Sequence, residues 1–363
     1  MQKQNGKSSI NNMNILFLTD EVIYVSGVSK HLYYLLKEFS KDESYNIFLV
    51  CPGGDFVDEF KKLRITVIVK KKISHHNRSY LNIIKSVWFI YNLVNKQKIK
   101  IIHSHTHYAA NIAWWTSKLT KSITIQTIHG IQPPGGRLPH FIADYFISVN
   151  KNSANYLVSI GKEKGRIFFV NIGIPFPEKH FKNSNEIKIF FASRLIPGKG
   201  ADIYLDAIAL VKDRLQEKVS FILAGEGECE NELKEQIFRL KIDVKFIGKV
   251  KDTYDYLKDT HIFVFSSRYQ TEGFPLAIIE AALNENLIIT SDFISLKEIF
   301  EENKDCLVFY NNDPVQLAEK INLAVNNYSD YSKMILNGSG KARENFSVNK
   351  MVFELKSIYR NVG

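Results

Sequence analysis

Cysteine is scarce in this chain. Cys51, Cys229 and Cys306 are the only three in 363 residues, odd in number and far apart. That excludes a disulfide framework and a CxxC metal pair, and points to a reducing compartment. Long apolar runs are missing too. The longest candidate, residues 81–94, has 14 residues with Lys85 inside it, too short to cross a bilayer. The opening MQKQNGKSSINNMN has no apolar segment of a secretory signal, so residues 1–13 read as a disordered polar tail. No zinc finger, RNA-reading aromatic motif or basic recognition helix is present, which excludes nucleic acid as a partner. Acidic residues are short in one half only. Residues 1–180 hold 24 Lys and Arg against 11 Asp and Glu, whereas residues 181–363 hold 24 against 27. The whole net charge of +10 therefore sits in the N-terminal half, where it would attract a phosphorylated ligand or an anionic membrane surface.

What is present is a twofold alternation of short apolar strands and amphipathic helices. The length suits two domains rather than one, and 45% hydrophobic with 24% charged residues is the composition of a globular protein. NILFLT (14–19), YNIFLVC (45–51), ITVIVK (65–70), IKIIHSH (99–105) and SITIQTI (122–128) read as buried strands, each followed by a helix or loop. The alternation restarts at IKIFFA (187–192), after the proline-bearing, unpatterned IPFPEKHFKNSNE (174–186). This gives an α/β chain: a Rossmann-like N-terminal domain over 14–173, a linker over 174–186, and a second Rossmann-like domain over 187–345. A C-terminal helix over 346–363 is expected to pack back on the first domain.

Ligands in open parallel sheets bind at the C-terminal ends of strands, and several such ends carry polar residues. Ser26 and Gly27 lie where the first helix starts, a place for an anion beside backbone N–H groups. His103, His105 and His107 alternate along one segment, and His129 ends another. A hydrated cleft explains these histidines better than a metal site, because no carboxylate or cysteine lies near in sequence. The Pro/Gly-rich IQPPGGRLPH after His129 is a candidate lid. Arg194 and Lys199 occupy one strand-to-helix loop with Gly198 and Gly200, a forked donor and a point charge suited to a diphosphate. The acidic residues around Gly225 and Gly227 argue against a phosphate cradle there. HIFVFSSRYQTEGFPLAIIEAAL (261–283) passes from strand through loop to an apolar helix. Inside that helix Glu280 is a buried carboxylate that needs a partner, a nearby lysine or amide in the simplest reading.

These motifs resemble the retaining glycosyltransferases of family 4 type, with the GT-B fold of two Rossmann-like domains around a cleft. ASRLIPGKG resembles the family's G-R-L-x-x-x-K-G, and TEGFPLAIIEAA carries an E-x7-E pair, Glu272 and Glu280. SGVSKH, IIHSHTH and TIHG match more loosely. The resemblance implies that Arg194 and Lys199 hold the donor diphosphate and Glu280 the ribose hydroxyls. It implies that Glu272 and His129 lie by the transferred sugar, with Ser26, Gly27, Gly248, Lys249, Gly273, Phe274, Pro275 and Leu276 also around the donor. His105 and His107 are expected on the acceptor side, and no metal or other cofactor is expected. Ser26-Gly27 departs from the family's paired glycine, and Asn150 stands where a serine is usual. The expected activity is transfer of a hexose or N-acetylhexosamine from a nucleotide-diphosphate sugar, UDP-linked by preference, to a lipid-linked acceptor or growing cell-surface glycan, as in lipopolysaccharide or capsule synthesis. Alternatives are a nucleotide-sugar epimerase of the same fold, or a weakly catalytic donor-binding subunit. The basic segment around residues 61–85, with its aromatic neighbours, is expected to hold the enzyme on the cytoplasmic face of a membrane.

Overall fold

The computed structural model describes residues 12–363 apart from 25, 78, 132–137, 179–181, 183–185, 270–274 and 311. Among the described residues thirteen strands form two sheets. The first contains β1 (Met13–Leu18), β2 (Tyr45–Cys51), β3 (Thr66–Val69), β4 (Ile101–Ser104), β5 (Ile123–Ile128), β6 (Tyr145–Ser148) and β7 (Ile167–Phe169), in the order β3-β2-β1-β4-β5-β6-β7. The second contains β8 (Ile187–Ala192), β9 (Val219–Ala224), β10 (Val244–Gly248), β11 (Ile262–Phe265), β12 (Leu287–Ser291) and β13 (Leu307–Phe309), in the order β10-β9-β8-β11-β12-β13. Every neighbouring pair is parallel. The strand order reverses between β1 and β4 and between β8 and β11. At such reversals the loops leave in opposite directions and open a crevice. This is the GT-B architecture, two Rossmann-like domains.

Both faces of each sheet are covered by helices, which is why the strands read as continuous apolar runs rather than alternating ones. On one face of the first sheet, Leu32, Leu36 and Phe39 of helix Gly27–Phe39 pack with Met351, Leu355 and Tyr359 of helix Val348–Val362. Helices Tyr80–Gln97 and His107–Ser117 cover the other face. In the second domain, helix Leu276–Leu283 covers one face and helices Ala201–Val211 and Pro314–Asn326 the other.

The C-terminal helix therefore belongs physically to the first domain, and the chain crosses between domains twice at one place. Ile174 bridges to Ser347, and its N–H donates to the Phe346 carbonyl at 2.8 Å. A side chain at Gly173 would lie 2.5 Å from the Cα of Val348, so only glycine lets the two crossings touch.

Four histidines are packed at the ends of β1, β4 and β5. His103 sits within β4, opposite Phe17 and Ile125 in register. One ring nitrogen of His103 meets the Tyr359 hydroxyl at 2.5 Å and the other the Thr127 hydroxyl at 2.7 Å. The ring centroids of His103 and His105 are 4.4 Å apart, and His31 lies 4.8 Å from His129 by the same measure. Burial pushes His31 down to about 4 and His103 down to about 3, and holds His105 and His129 well below the ordinary 6.5. All four are therefore neutral at physiological pH.

The sign of the linkage follows. Below pH 6.5 the unfolded chain takes up protons that the folded chain refuses until pH 3–4. Stability should thus fall as pH drops through that window, with a slope approaching about 1.4 kcal/mol per pH unit for each buried histidine. Chemical denaturation between about pH 7.5 and 5 measures this slope, and His103→Gln should reduce it. A flat profile would show that these rings are not buried in solution.

Candidate active site

The two crevices face each other and form one cleft of about 460 Å³. Its N-terminal wall comes from the loop after β1 (Asp20, Glu21), the start of the first helix (Ser26, Gly27, Val28), Lys30, Thr106 and His129. Its C-terminal wall comes from Ser193, Arg194 and Lys199 after β8, Gly225, Thr253, and Pro275 to Ala277 with Glu280.

Local sequence explains why each wall has this shape. Ser26 is the N-cap of helix Gly27–Phe39, and its hydroxyl accepts from the Ser29 N–H at 3.4 Å. The departure from paired glycines thus supplies a cap, which fixes where the positive end of the helix points. Asn150 does the same for helix Lys151–Ser159, accepting from the Ser153 N–H at 2.7 Å. The Arg194–Lys199 loop is held by close backbone approach. Gly200 has φ +68°, and a side chain there would lie 1.9 Å from the Ser266 carbonyl oxygen. Gly227, at φ +158°, would likewise collide with the Leu195 carbonyl. The Gly-x-Gly turn thus seats the loop that carries Arg194, and Gly225 itself lines the cleft.

Glu280 lines the C-terminal wall of the cleft. Helix Leu276–Leu283 is buried at every position except Ala277, and Glu280 is 1% exposed. Its partners come from both domains. Lys30 Nζ lies 3.3 Å from Oε1 and 3.4 Å from Oε2, and the Tyr34 hydroxyl donates to Oε1 at 3.2 Å. The Thr253 hydroxyl donates to Oε2 at 2.6 Å, and Lys30 also reaches it at 2.9 Å. A carboxylate has about four acceptor positions, so Glu280 is nearly saturated. Burial beside this carboxylate holds the Tyr34 hydroxyl well above its ordinary pKa, so it stays a donor. Gly27, Lys30 and Tyr34 recur at three- and four-residue spacing along one helix face. That periodicity was the signal in SGVSKHLYY for Lys30 and Tyr34, which sequence reasoning missed.

The other expected residues divide. Arg194, Lys199, Ser26, Gly27, His129, Pro275 and Leu276 line the same cleft as Glu280. The Lys199 ammonium lies 5.5 Å from the Tyr269 ring centre. Gly248 and Lys249 lie outside the cleft lining. The Gly248 carbonyl accepts from the Gly225 N–H at 2.8 Å, and Lys249 pairs with Asp55 of the first domain and with Glu226 at 2.6 Å. Glu272, Gly273 and Phe274 lie outside the described residues.

Of the three alternating histidines only His107 is set apart, because β4 ends at Ser104 and a helix starts after Thr106, so the period changes from 2 to 3.6. His105 turns inward, with Nδ1 3.5 Å from His129 Nε2. His107 turns the other way, its Nδ1 donating to the His140 carbonyl at 2.5 Å. Neither lines the cleft. Among the described residues, His31, His105 and His129 are the one group whose ligand atoms converge, within 4.8 Å of one another. They would offer an ion three neutral nitrogens.

Comparison with known proteins agrees with this geometry. Residues 175–341 match the family described as Glycosyl transferases group 1, and residues 25–175 match Glycosyltransferase Family 4. The chain is 24% identical over 321 residues to the N,N'-diacetylbacillosaminyl-diphospho-undecaprenol alpha-1,3-N-acetylgalactosaminyltransferase of Campylobacter jejuni, covering 78% of this chain and 82% of that one. A second C. jejuni enzyme is the alpha-1,4-N-acetyl-D-galactosaminyltransferase acting on GalNAc-alpha-(1->4)-GalNAc-alpha-(1->3)-diNAcBac-PP-undecaprenol. It is 27% identical over 177 residues, 47% of this chain and 48% of its own length. Among solved structures, Anabaena HepE in complex with UDP-glucose superposes with a TM-score of 0.79 at 19% identity, over 96% of this chain and 100% of that one. The two family matches together span both domains and the cleft between them, and the chain belongs to the family 4 glycosyltransferases of the GT-B fold.

Proposed function

We propose that this glycosyltransferase moves a hexose or N-acetylhexosamine from a UDP-sugar to a lipid-linked acceptor of cell-surface glycan synthesis, with retention and without a metal. The observation that carries the reading is the polarity of the cleft. Arg194 and Lys199 line one wall with the N-terminus of the first helix on the other, and the buried Glu280 carboxylate lines the same cleft. A nucleoside diphosphate has the complementary polarity: its diphosphate meets two cations and a helix N-terminus, and its ribose hydroxyls donate to the carboxylate. The charge that develops on the leaving diphosphate is stabilised by groups already in place, which is the task a divalent ion performs in other transferases.

His129 borders the transferred sugar in this reading. Because burial keeps its imidazole neutral, it contributes a hydrogen bond and not an acid proton. Proton removal from the acceptor hydroxyl falls to a donor phosphate oxygen on the same face of the sugar, the route that gives retention. The alpha linkages in the names of both C. jejuni relatives support it, since an ordinary UDP-hexose is itself alpha-linked. Those names also specify diphospho-undecaprenol acceptors, which supports a lipid-linked acceptor here.

The first sheet's outer helices support work at a membrane. No helix among the described residues is long and apolar enough to cross one. Helix Tyr80–Gln97 instead exposes Tyr80, Leu81, Ile84 and Trp88, the last at 68%. Trp115 and Leu119, on and just beyond the neighbouring helix, are exposed as well. Lys70, Lys71, Lys72 and Lys85 are exposed in the adjoining segments. Phe89, half-buried, lies under Lys70 Nζ at 4.5 Å, and Tyr91 is half-buried farther along the helix. Aromatic side chains at the headgroup level flanked by lysines are the pattern of a protein lying on an anionic leaflet, each lysine adding about 1 kcal/mol.

Two measurements test this reading. Lys199→Ala should lower transfer by about 10²-fold with the fold intact, and Arg194→Lys should also be costly because the forked contact is lost. Chelation by EDTA should leave the wild-type rate unchanged. Near-normal rates in both variants would overturn the diphosphate assignment. In liposome sedimentation the protein should pellet with anionic vesicles, release as salt rises, and lose most binding in the Trp88→Ser, Leu81→Ser double variant. Equal sedimentation with neutral vesicles, or none at low salt, would leave a soluble glycan as acceptor.

A further inference from the structure

Three histidines of the first domain meet beside the cleft, each delivered by a different element. His31 stands on helix Gly27–Phe39, His105 directly follows β4, and His129 directly follows β5. The His105 N–H donates to the Leu18 carbonyl at 3.0 Å, which ties its backbone to the end of β1. His31 and His105 are 3% and 2% exposed, while His129 is half-buried and lines the cleft. Their hydrogen bonding is incomplete. His31 Nδ1 and His105 Nε2 have no partner among the described residues. The contact between His105 Nδ1 and His129 Nε2, at 3.5 Å, is at the outer limit for a hydrogen bond. His103 is packed against the same rings and differs: the Tyr359 and Thr127 hydroxyls take both its nitrogens. Buried polar atoms are almost always paired, because leaving one bare is costly. His103 shows a histidine satisfied by the core alone, and the other three are not satisfied in that way.

We infer that His31, His105 and His129 form a zinc site, and that zinc bound there blocks transfer. Three imidazole nitrogens with a fourth position left open are a recurrent zinc set. On one tetrahedral zinc, two imidazole nitrogens stand about 3.3 Å apart. His105 Nδ1 and His129 Nε2 are 3.5 Å apart, and the three ligand atoms lie within 4.8 Å of one another. Small ring rotations therefore close the set. Imidazole suits zinc and other late divalent transition metals, whereas magnesium and calcium prefer oxygen. The ion reaches the site through the cleft, because His129 is the member that lines it. His129 is also the member placed by the transferred sugar, so the blocking of transfer rests on the function proposed above. A ring nitrogen bound to zinc is not available to the sugar, and the ion adds charge to that wall. Zinc is thus an inhibitory ligand and not a cofactor, and transfer without a metal is the uninhibited state.

The test is zinc titration of metal-free protein against a chromophoric chelator, followed by transfer assays at the same free zinc. The expected result is one zinc per chain, not displaced by excess magnesium. Cobalt(II) in place of zinc should give the intense visible absorption of a four-coordinate ion. His31→Gln and, separately, His105→Gln should each weaken zinc at least about ten-fold, the scale for losing even an outer partner of a metal site. His103→Gln, whose nitrogens are already taken, should leave zinc affinity unchanged. UDP affinity measured without zinc reports that each variant is folded. Saturating zinc should lower wild-type transfer at least about ten-fold, with recovery on adding EDTA. His31→Gln should keep the wild-type rate without metal and escape inhibition at that zinc concentration. Unchanged zinc affinity in both His31→Gln and His105→Gln, or loss of binding in His76→Gln instead, would place the ion elsewhere and overturn the inference. Equal inhibition of wild type and His31→Gln would show zinc acting on the donor diphosphate, which also overturns it. Failure of the proposed function would show separately, as metal-free wild type that binds zinc but transfers no sugar.

Discussion

The carboxylate of Glu280 is the constraint on which the rest of the structure depends. A carboxylate inside an apolar helix is costly to bury without partners, and helix Leu276–Leu283 supplies none from its own side chains. The nearest partner within its own domain is Thr253. The ammonium and the second hydroxyl come from Lys30 and Tyr34, across the cleft. The two domains therefore meet at a point of charge compensation. An ion pair of Lys249 with Asp55, and hydrogen bonds from the Lys151 and Asn152 N–H groups to Glu298, add two further contacts between the domains.

This arrangement couples the binding site to the relation between the domains. With its acceptor positions nearly filled, Glu280 can accept ribose hydroxyls only if Tyr34 or Lys30 yields one. In the proposed function, donor binding would then rearrange contacts made by the first helix, whose N-terminus lines the same cleft. The paired crossings at Ile174 and Ser347 are the place where such a rearrangement can be absorbed, because the chain connects the domains there and Gly173 allows the two strands of the hinge to touch. One buried charge would thus link nucleotide, first helix and hinge if the proposed donor site is right.

Much of this was legible in the sequence, for identifiable reasons. Strands covered on both faces read as apolar runs, so both sheets and their restart at Ile187 stood out. Arg194, Lys199 and Glu280 were visible because each is a charge in a place where local structure makes charge unusual. Residues that act across the cleft were harder to see. Lys30 looks like any surface lysine of an amphipathic helix until the second domain is placed against it. The hydrated-cleft reading of the histidines in and after β4 failed for His103 and His105, whose rings are buried and packed against each other beneath the cleft-lining His129. Gly225 and Gly227 were read by what they could not bind, whereas their use is to let the backbone approach Ser193 and Leu195.

The central claim, that Glu280 serves the nucleotide as well as the domain contact, is tested most directly by titrating UDP into wild type, Glu280→Gln and Lys30→Met. The glutamine keeps the shape and loses the charge that the ribose hydroxyls require. The account predicts at least ten-fold weaker UDP binding in Glu280→Gln. It predicts equal or tighter binding in Lys30→Met, where a competitor for the carboxylate is removed. Unchanged UDP affinity in Glu280→Gln would contradict it and leave Glu280 as a purely structural partner of Lys30.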